Sequence, residues 1–425
     1  MTRTNKLYFL TVIMFFGVVA ATVVAYCQGL LLHWKFPHNT FLFDPAVSFT
    51  DFFEVITIAG DGNPYLNGAN KSMYLPFANV AIYVLQLIKV RTLLYVYLGG
   101  LGVFSLAAGY VLCRRIVQMP LLFAGILTCC NYPLLFVMDR GNIEGVLFAM
   151  TVLFFVFLHK DRQVLAGLCL AVPVACKAFC VIYLLYAVSR RQYRAVVSTV
   201  VFSALLTFGA LFFLKGGFMD NLVTVLFYNA VSQSPMMLQN NFTYQSYSLF
   251  SLIKVTLIKL DLVNFVNFSM LNRSYTLFSL GLILINAAYV VFSRAQEWKK
   301  LFVLTATIIL LPPVSAVYKL LYFFIPIFSF INSRERGRFD IAVMAFFCLI
   351  ITPWQYAFFS DFDIRVDAGK LPVIVPIEVL VIFAFNLYEL FVFAHKAYVL
   401  RGRPRFFALK QRLVAAAVPA HREEG

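Results

Sequence analysis

The composition of this 425-residue chain excludes an ordinary soluble protein, because 62% of its residues are hydrophobic and only 13% are charged. Soluble globular domains are about 45–50% apolar and about 25% charged. The net charge is +16, but the basic residues stand in short clusters between apolar runs, which is typical of cytoplasmic membrane-protein loops rather than of a nucleic-acid surface. We therefore predict one integral membrane domain over residues 1–400 and a basic cytoplasmic tail over residues 396–425.

The first element is an apolar run, residues 7–32, which is long enough to cross a bilayer. Arg3 and Lys6 precede it, so we interpret it as an uncleaved anchor with the N-terminus inside. A polar stretch, residues 33–91, follows as the first external loop. Within it, the apolar run of residues 75–88 is shorter than the roughly 20 residues that a crossing needs, which favours an interfacial helix.

The topology depends on whether residues 75–88 cross the membrane. If they do not, the first run and eleven later ones make about 12 spans, and every basic cluster falls on the cytoplasmic side. If they do, Arg114, Arg115 and Arg162 lie outside. The later runs are about residues 92–113, 118–138, 141–158, 164–176, 178–188, 195–214, 275–293, 301–312, 318–331, 341–359 and 373–395. The positive-inside rule favours an all-α, polytopic transmembrane helical bundle of about 12 spans, with an interfacial helix in the first external loop.

The same topology gathers most of the other polar residues on the external face. Among them are the Asp51 loop, the segment from Asp139 to Glu144, Lys177 and the external loop of residues 215–274. The short runs on either side of Lys177 are typical of half-helices packed inside a bundle. A one-sided polar face favours a membrane-embedded enzyme.

Asp51 follows the first span, at the start of a run that could form a short helix on the membrane surface. A carboxylate there is partly desolvated yet reaches an aqueous cleft, which suits a general base. The alternative is that Asp51 caps the N-terminus of that helix, because aspartate is a favoured N-cap.

A second group of polar residues, Asp139, Arg140, Asn142 and Glu144, falls at the mouth of a span. Ionisable residues near membrane depth are costly and usually functional. A simple ion pair between Arg140 and Glu144, four residues apart on a possible helix, is the alternative. The carboxylates could also hold a divalent metal, but nothing in the sequence defines such a site.

Lys177 interrupts an otherwise apolar stretch and needs a partner or a water-filled cavity. An anionic phosphate would suit it, whereas the alternative is a side chain that extends to the outer interface. The segment from Gln239 to Tyr247, including Gln245, mixes amides, hydroxyls and aromatic rings, as sugar-binding sites do, although generic loops share this composition. Tyr318 and Lys319 lie in a polar hairpin that could close the same cleft.

No nucleotide-binding or hydrolase motif is present in the sequence, so a lipid-phosphate-linked donor already in the membrane would supply the transferred group. The motifs in chain order are Asp51-Phe52, Gly62-Asn63-Pro64-Tyr65, Tyr74-Leu75-Pro76-Phe77, Arg140-Gly141-Asn142, Lys177, Asn241 to Leu249, and Pro312 to Tyr318. This order resembles the GT-C glycosyltransferases, and within them glycosyltransferase family 87, over about residues 7–395. That family includes polyprenyl-phosphate-mannose-dependent mannosyltransferases.

The resemblance implies an inverting transfer, at the external face of the plasma (inner) membrane, from a polyprenyl-phosphate-linked hexose or pentose to a lipid or glycan acceptor. Mannose is the sugar that the family favours. The general base of the family corresponds to Asp51, and Lys177 and Arg140 are our candidates for holding the phosphate. The predicted substrate-binding residues are Lys177, Arg140, Asn142, Glu144, Asp139, Tyr74, Gln245, Tyr318 and Lys319. We expect no cofactor and no nucleic-acid partner, and both termini in the cytoplasm.

The chain also departs from the family pattern. It has Asn142-Ile143-Glu144 where the family often has Gln-x-Asn, Ala178 where proline often follows the lysine, and Ala316-Val317 where histidine or tryptophan is frequent. These departures concern the sugar and the acceptor more than the reaction. The alternative function is a lipid-linked sugar flippase or small-solute transporter, which predicts polar residues spread across the bilayer.

Overall fold

A computed structural model of the chain shows a helical bundle and confirms that the protein is built almost entirely from α-helices. It describes residues 2–31, 48–60, 63–65, 72, 74–116, 128–129, 131–226, 246–260, 262, 265–333, 340–352, 364–366, 369–371 and 374–417. Gln245 lies outside the described residues. So does the rest of the predicted sugar-binding segment up to Ser246.

The α-helices vary widely in length. In chain order they are α1 (Arg3–Leu31), α2 (Thr50–Ala59), α3 (Pro76–Leu85), α4 (Val90–Ile116), α5 (Tyr132–Arg140), α6 (Glu144–His159), α7 (Gln163–Cys176), α8 (Leu184–Ser189), α9 (Tyr193–Leu211), α10 (Leu249–Lys259), α11 (Phe268–Phe292), α12 (Glu297–Leu310), α13 (Phe324–Asn332), α14 (Asp340–Ile351) and α15 (Ile374–Ala417). Two 3₁₀ helices, Ala178–Tyr183 and Val317–Phe323, lead directly into α8 and α13. Strands β1 (Ile364–Val366) and β2 (Gly369–Leu371) form one short antiparallel hairpin.

Five helical segments among the described residues are long and apolar enough to cross a membrane. They are Arg3–Ala20, Val90–Val111, Tyr193–Leu211, Phe268–Phe292 and Val375–Val399. The chain is therefore a membrane protein. Other predicted spans form shorter apolar helices, such as α6 and α7, so the count of about 12 stays a prediction.

The helix that follows Tyr74 has the length that the interfacial interpretation requires. Pro76 begins α3, where its missing N–H costs nothing. The ten residues of α3 extend about 15 Å, roughly half the thickness of a bilayer core. The helix packs against α2, α7 and α9, and the N–H of Leu75 donates to the carbonyl of Cys176 at 3.0 Å. It therefore lies at the end of the bundle where α7 ends.

The core of the bundle is centred on α12, whose residues from Leu301 to Leu310 are all buried. A helix that is apolar on every side must be surrounded by other elements, and α12 packs against α11, α13 and α15. The last helix, α15, continues without a break through residue 396, where we predicted that the basic tail begins, and ends at Ala417.

Candidate functional site

The carboxylate of Asp51 is bonded on both oxygens. Arg140 donates from Nη2 to Oδ1 at 2.6 Å, and Asn142 donates from Nδ2 to Oδ2 at 2.7 Å. The side chain of Asp51 is 18% exposed, so it is only partly buried. Asp51 lies in the first turn of α2 and does not act as its cap, since the N-cap residue is Phe49 and makes no side-chain cap bond. The capping interpretation is therefore wrong.

Gly141 adopts the left-handed backbone conformation and brings Arg140 and Asn142 to Asp51. Gly141 ends α5 at φ +65°, and a β-carbon there would lie 2.6 Å from Cβ of Phe52 on α2. Only glycine satisfies both the conformation and the close approach. The turn also ends the helix between Arg140 and Glu144, so these two residues do not lie on one helix face. The alternative of an ion pair between them is therefore wrong, since Arg140 pairs with Asp51 and Glu144 pairs with Lys177.

Glu144 begins α6 and is fully buried. Its Oε1 accepts a hydrogen bond from Nζ of Lys177 at 2.6 Å, and its Oε2 accepts one from the hydroxyl of Tyr322 at 3.0 Å. Its backbone N–H donates to Oδ1 of Asn142 at 3.0 Å. Asn142 therefore joins the Asp51 pair to the Lys177 pair in one continuous hydrogen-bonded chain.

Lys177 lies in an extended turn between α7 and the following 3₁₀ helix. Its ammonium lies 4.9 Å from the ring centroid of Tyr74 and 5.3 Å from that of Tyr318, a geometry in which ring faces attract a cation. The side chain is 17% exposed. Lys177 thus points into the site, and the alternative that its side chain extends to the outer interface is wrong.

The loop that carries Tyr74 is held by a buried hydrogen-bond network. Tyr65 donates its hydroxyl to the carbonyl of Tyr74 at 2.7 Å and accepts from Nδ2 of Asn79 at 2.9 Å. Burial raises the pKa of Tyr65 above its ordinary range, so its hydroxyl remains a donor. Asn63 donates to the carbonyl of Lys215 at 2.8 Å, which ties the loop to the chain after α9. The Asn63-Pro64-Tyr65 motif is therefore structural.

Lys319 lies next to Tyr318 and is buried, with 8% of its surface exposed. Its ammonium lies 4.6 Å from the ring centroid of Phe179. The preceding segment is joined to the middle of the region of residues 215–274, because Tyr247 donates its N–H to the carbonyl of Ser315 at 2.7 Å and Ser246 forms a β-bridge with Ala316. The hairpin and that loop therefore lie together, as the sequence predicts.

The structure thus brings most of the predicted site residues to one end of the bundle. Asp51, Arg140, Asn142, Glu144, Lys177, Tyr74 and Tyr318 are connected by direct contacts. Asp139 is buried beside them, and its carbonyl accepts from the N–H of Phe49 at 2.7 Å, which fixes the start of α2. Among the described residues, no group of three or more His, Cys, Asp or Glu side chains could hold a metal ion.

Sequence reasoning missed two tyrosines of the site. Tyr322 bonds Glu144, and Tyr97 donates its hydroxyl to the carbonyl of Asn142 at 2.6 Å. Both stand among apolar residues, where a tyrosine gives no signal of a polar contact. Their role depends on contacts between distant helices.

A second set of buried polar residues, on α15, was also missed. Glu378 accepts from the hydroxyl of Tyr247 at 2.6 Å, and Glu389 accepts from Lys299 at 2.5 Å and from Tyr289 at 2.9 Å. Two carboxylates inside the apolar run of residues 373–395 are a readable signal of intramembrane contacts.

Comparison with known protein families supports the resemblance. The model of glycosyltransferase family 87 matches residues 73–315, which is more than half of the chain. The matched region contains Tyr74, the segment from Asp139 to Glu144, and Lys177, whereas Asp51, Tyr318 and Lys319 lie outside it. Comparisons with curated proteins and with solved structures found no match.

Proposed function

Because the chain belongs to glycosyltransferase family 87 and is a membrane protein, we propose that it transfers a sugar from a polyprenyl-phosphate-linked donor to a lipid or glycan acceptor. The sugar is a hexose, with mannose favoured, or a pentose. The transfer inverts the anomeric centre, with Asp51 as the general base. The site faces the external side of the plasma membrane, and both termini are cytoplasmic.

The observation that carries this proposal is the pair of hydrogen bonds on Asp51. Arg140 and Asn142 hold the carboxylate in one orientation by a hydrogen bond to each oxygen, and each oxygen keeps a lone pair that neither residue uses. A fixed, partly exposed carboxylate can take a proton from an acceptor hydroxyl. The hydroxyl oxygen then forms its bond to the anomeric carbon while the bond from that carbon to the phosphate oxygen breaks, and the lipid phosphate leaves with the electron pair.

The other residues of the site supply charge and shape. Arg140, Lys177 and Lys319 bring positive charge to the end of the bundle that holds Asp51, which favours the negative charge that develops on the departing phosphate. The residues that we propose for substrate binding are Asp139, Arg140, Asn142, Glu144, Lys177, Tyr74, Gln245, Tyr318 and Lys319.

The distribution of basic residues supports the orientation. His159 at the far end of α6 contacts Glu297, and Arg190 and Lys299 bond at the same end. These basic residues thus lie at the end of the bundle that is opposite Asp51. An excess of basic residues is typical of cytoplasmic loops under the positive-inside rule.

The test of the base is Asp51→Asn, assayed in proteoliposomes with polyprenyl-phosphate mannose as donor and membrane lipid extract as acceptor. We expect a loss of activity of more than about 100-fold, because the amide cannot accept the proton. Glu54→Gln, an exposed carboxylate one turn later on the same helix, is the matched control and should keep its activity. An Asp51→Asn enzyme that is folded and as active as the unsubstituted protein would refute the assignment.

The buried polar residues of α15 are the feature that a transporter would share. Their pairing argues for a structural role, since Glu378 and Glu389 bond to Tyr247, Tyr289 and Lys299 inside the bundle. The same proteoliposome assay separates the two functions. Movement of the lipid-linked sugar across the bilayer without a new glycosidic bond would favour the flippase.

A further inference from the structure

Arg140, Lys177 and Lys319 are the three cations of the site, and they differ in whether a carboxylate already neutralises them. Arg140 lies 2.6 Å from Asp51, and Lys177 lies 2.6 Å from Glu144. Each is therefore half of a formed ion pair. In the part of the chain that the structure describes, the ammonium of Lys319 makes no hydrogen bond and no ion pair within 4.0 Å, and it faces the ring of Phe179.

Lys319 is close enough to the other charges to belong to the same site. It interacts electrostatically with both Glu144 and Lys177. The ring of Phe179 contacts that of Tyr322, whose hydroxyl donates to Glu144. Lys319 thus adds to the Lys177–Glu144 pair a positive charge that no described carboxylate cancels at contact distance.

A buried cation without an anionic partner is unfavourable, because it loses its hydration and gains little in return. The ring face of Phe179 offsets only part of that loss. Buried charges of this kind are usually functional, and a bound ligand of opposite charge supplies the missing partner. The missing partner is an anion, and it must reach a lysine that is buried inside the protein.

We propose that Lys319 receives the phosphate of the lipid-linked donor, while Lys177 is held by Glu144 and positions the rings of Tyr74 and Tyr318. This inference rests on the proposed function. The donor phosphodiester carries one negative charge, and the departing lipid phosphate gains a second when the bond to the sugar breaks. One unneutralised lysine is matched to the first of these charges and becomes more favourable as the second develops.

The experiment measures binding of three probes to the purified full-length protein in detergent: polyprenyl phosphate, the neutral polyprenol and inorganic phosphate. For Lys319→Gln we expect polyprenyl phosphate to bind about 10- to 100-fold more weakly, since a bond to a charged group is lost, while polyprenol binds as before. Lys319→Arg should retain most of the affinity because it keeps the charge. Lys254→Gln removes another buried lysine, on α10, a helix that contributes none of the proposed substrate-binding residues, and should leave binding of all three probes unchanged.

A second readout is thermal unfolding. Lys319→Gln should unfold at the same temperature as the unsubstituted protein or at a higher one, because it removes an unpaired buried charge. A clear decrease would mean that Lys319 already has a partner, which would overturn the inference.

The outcomes also separate this inference from the function on which it rests. If the unsubstituted protein prefers polyprenyl phosphate over polyprenol but folded Lys319→Gln binds it equally well, Lys319 is not the phosphate residue and the proposed function stands. If the unsubstituted protein does not distinguish the two lipids, the lipid-phosphate donor is wrong, and this inference fails with it. Equally tight binding of inorganic phosphate would assign Lys319 to a free anion and overturn the lipid-linked donor.

Discussion

The two ends of α6 carry the same kind of contact in opposite surroundings. At its first residue, Glu144 is fully buried and bonds Lys177. At its last residue, about 22 Å away, His159 contacts Glu297 at 2.8 Å, and both side chains are more than a third exposed. One helix therefore carries a buried ion pair, Glu144–Lys177, at the end that holds the candidate site and a solvent-exposed contact, His159–Glu297, at its other end.

The difference shows where charge is used and where it is only tolerated. In the low dielectric of the site, removing one partner leaves a charge that nothing solvates. At the exposed end, water replaces a lost partner at little cost. Substitutions at the two ends should therefore differ severalfold in effect, although the residue types are similar.

The largest effect is expected for Glu144→Ala. This change leaves the buried ammonium of Lys177 and the hydroxyl of Tyr322 without their shared acceptor. Breaking one side of a buried ion pair costs about 3–5 kcal/mol, so we expect the free energy of unfolding to fall by that amount. Unfolding in detergent, followed by circular dichroism, measures it.

The double variant Glu144→Leu with Lys177→Met is the control. Replacing both charges with apolar side chains is often nearly neutral, so it should recover most of the lost stability without restoring activity. A double variant as unstable as Glu144→Ala would show that the two residues do not depend on each other, and the contrast between the ends of α6 would lose its basis.

The pairing of Glu144 also shows what the sequence could and could not reveal. Charged residues in a chain this apolar stand out, so Asp51, Arg140, Glu144 and Lys177 could be identified as one set. Their partners could not be identified. A spacing of four residues favours an Arg140–Glu144 pair, but the left-handed turn at Gly141 separates them, and each pairs with a residue distant in sequence.

The sequence likewise predicted the helices of the fold but not their ends or the contacts between them. Hydropathy identifies the helices because apolar runs of this length are readable, and it placed the break at Lys177. It did not give their ends, since α15 runs on to Ala417. The contacts of Tyr322 and Tyr97 depend on how distant helices pack, which no local pattern contains.

A smaller effect is expected for Gly141→Ala. The alanine would have to adopt φ +65° with its β-carbon against Phe52, so we expect a loss of about 1–3 kcal/mol in unfolding free energy. Activity should fall more than stability does, because a shift of α2 moves Asp51 away from Arg140 and Asn142. Gly281→Ala in α11 is the matched control, since nothing lies within 4 Å of its added carbon. If the two variants lose equal activity, the Gly141 turn does not position Asp51.

The smallest effect is expected at the exposed end of α6. Glu297→Gln removes the charge that faces His159, yet exposed pairs contribute less than about 1 kcal/mol because water screens them. A double-mutant cycle with His159→Gln measures the coupling alone, and raising the salt concentration should reduce it further. Glu297 also accepts a hydrogen bond from Tyr186, a contact that glutamine can keep through its amide oxygen. A coupling as large as that of Glu144 with Lys177 would mean that this end excludes water too, and burial would no longer explain why one end of α6 holds the site.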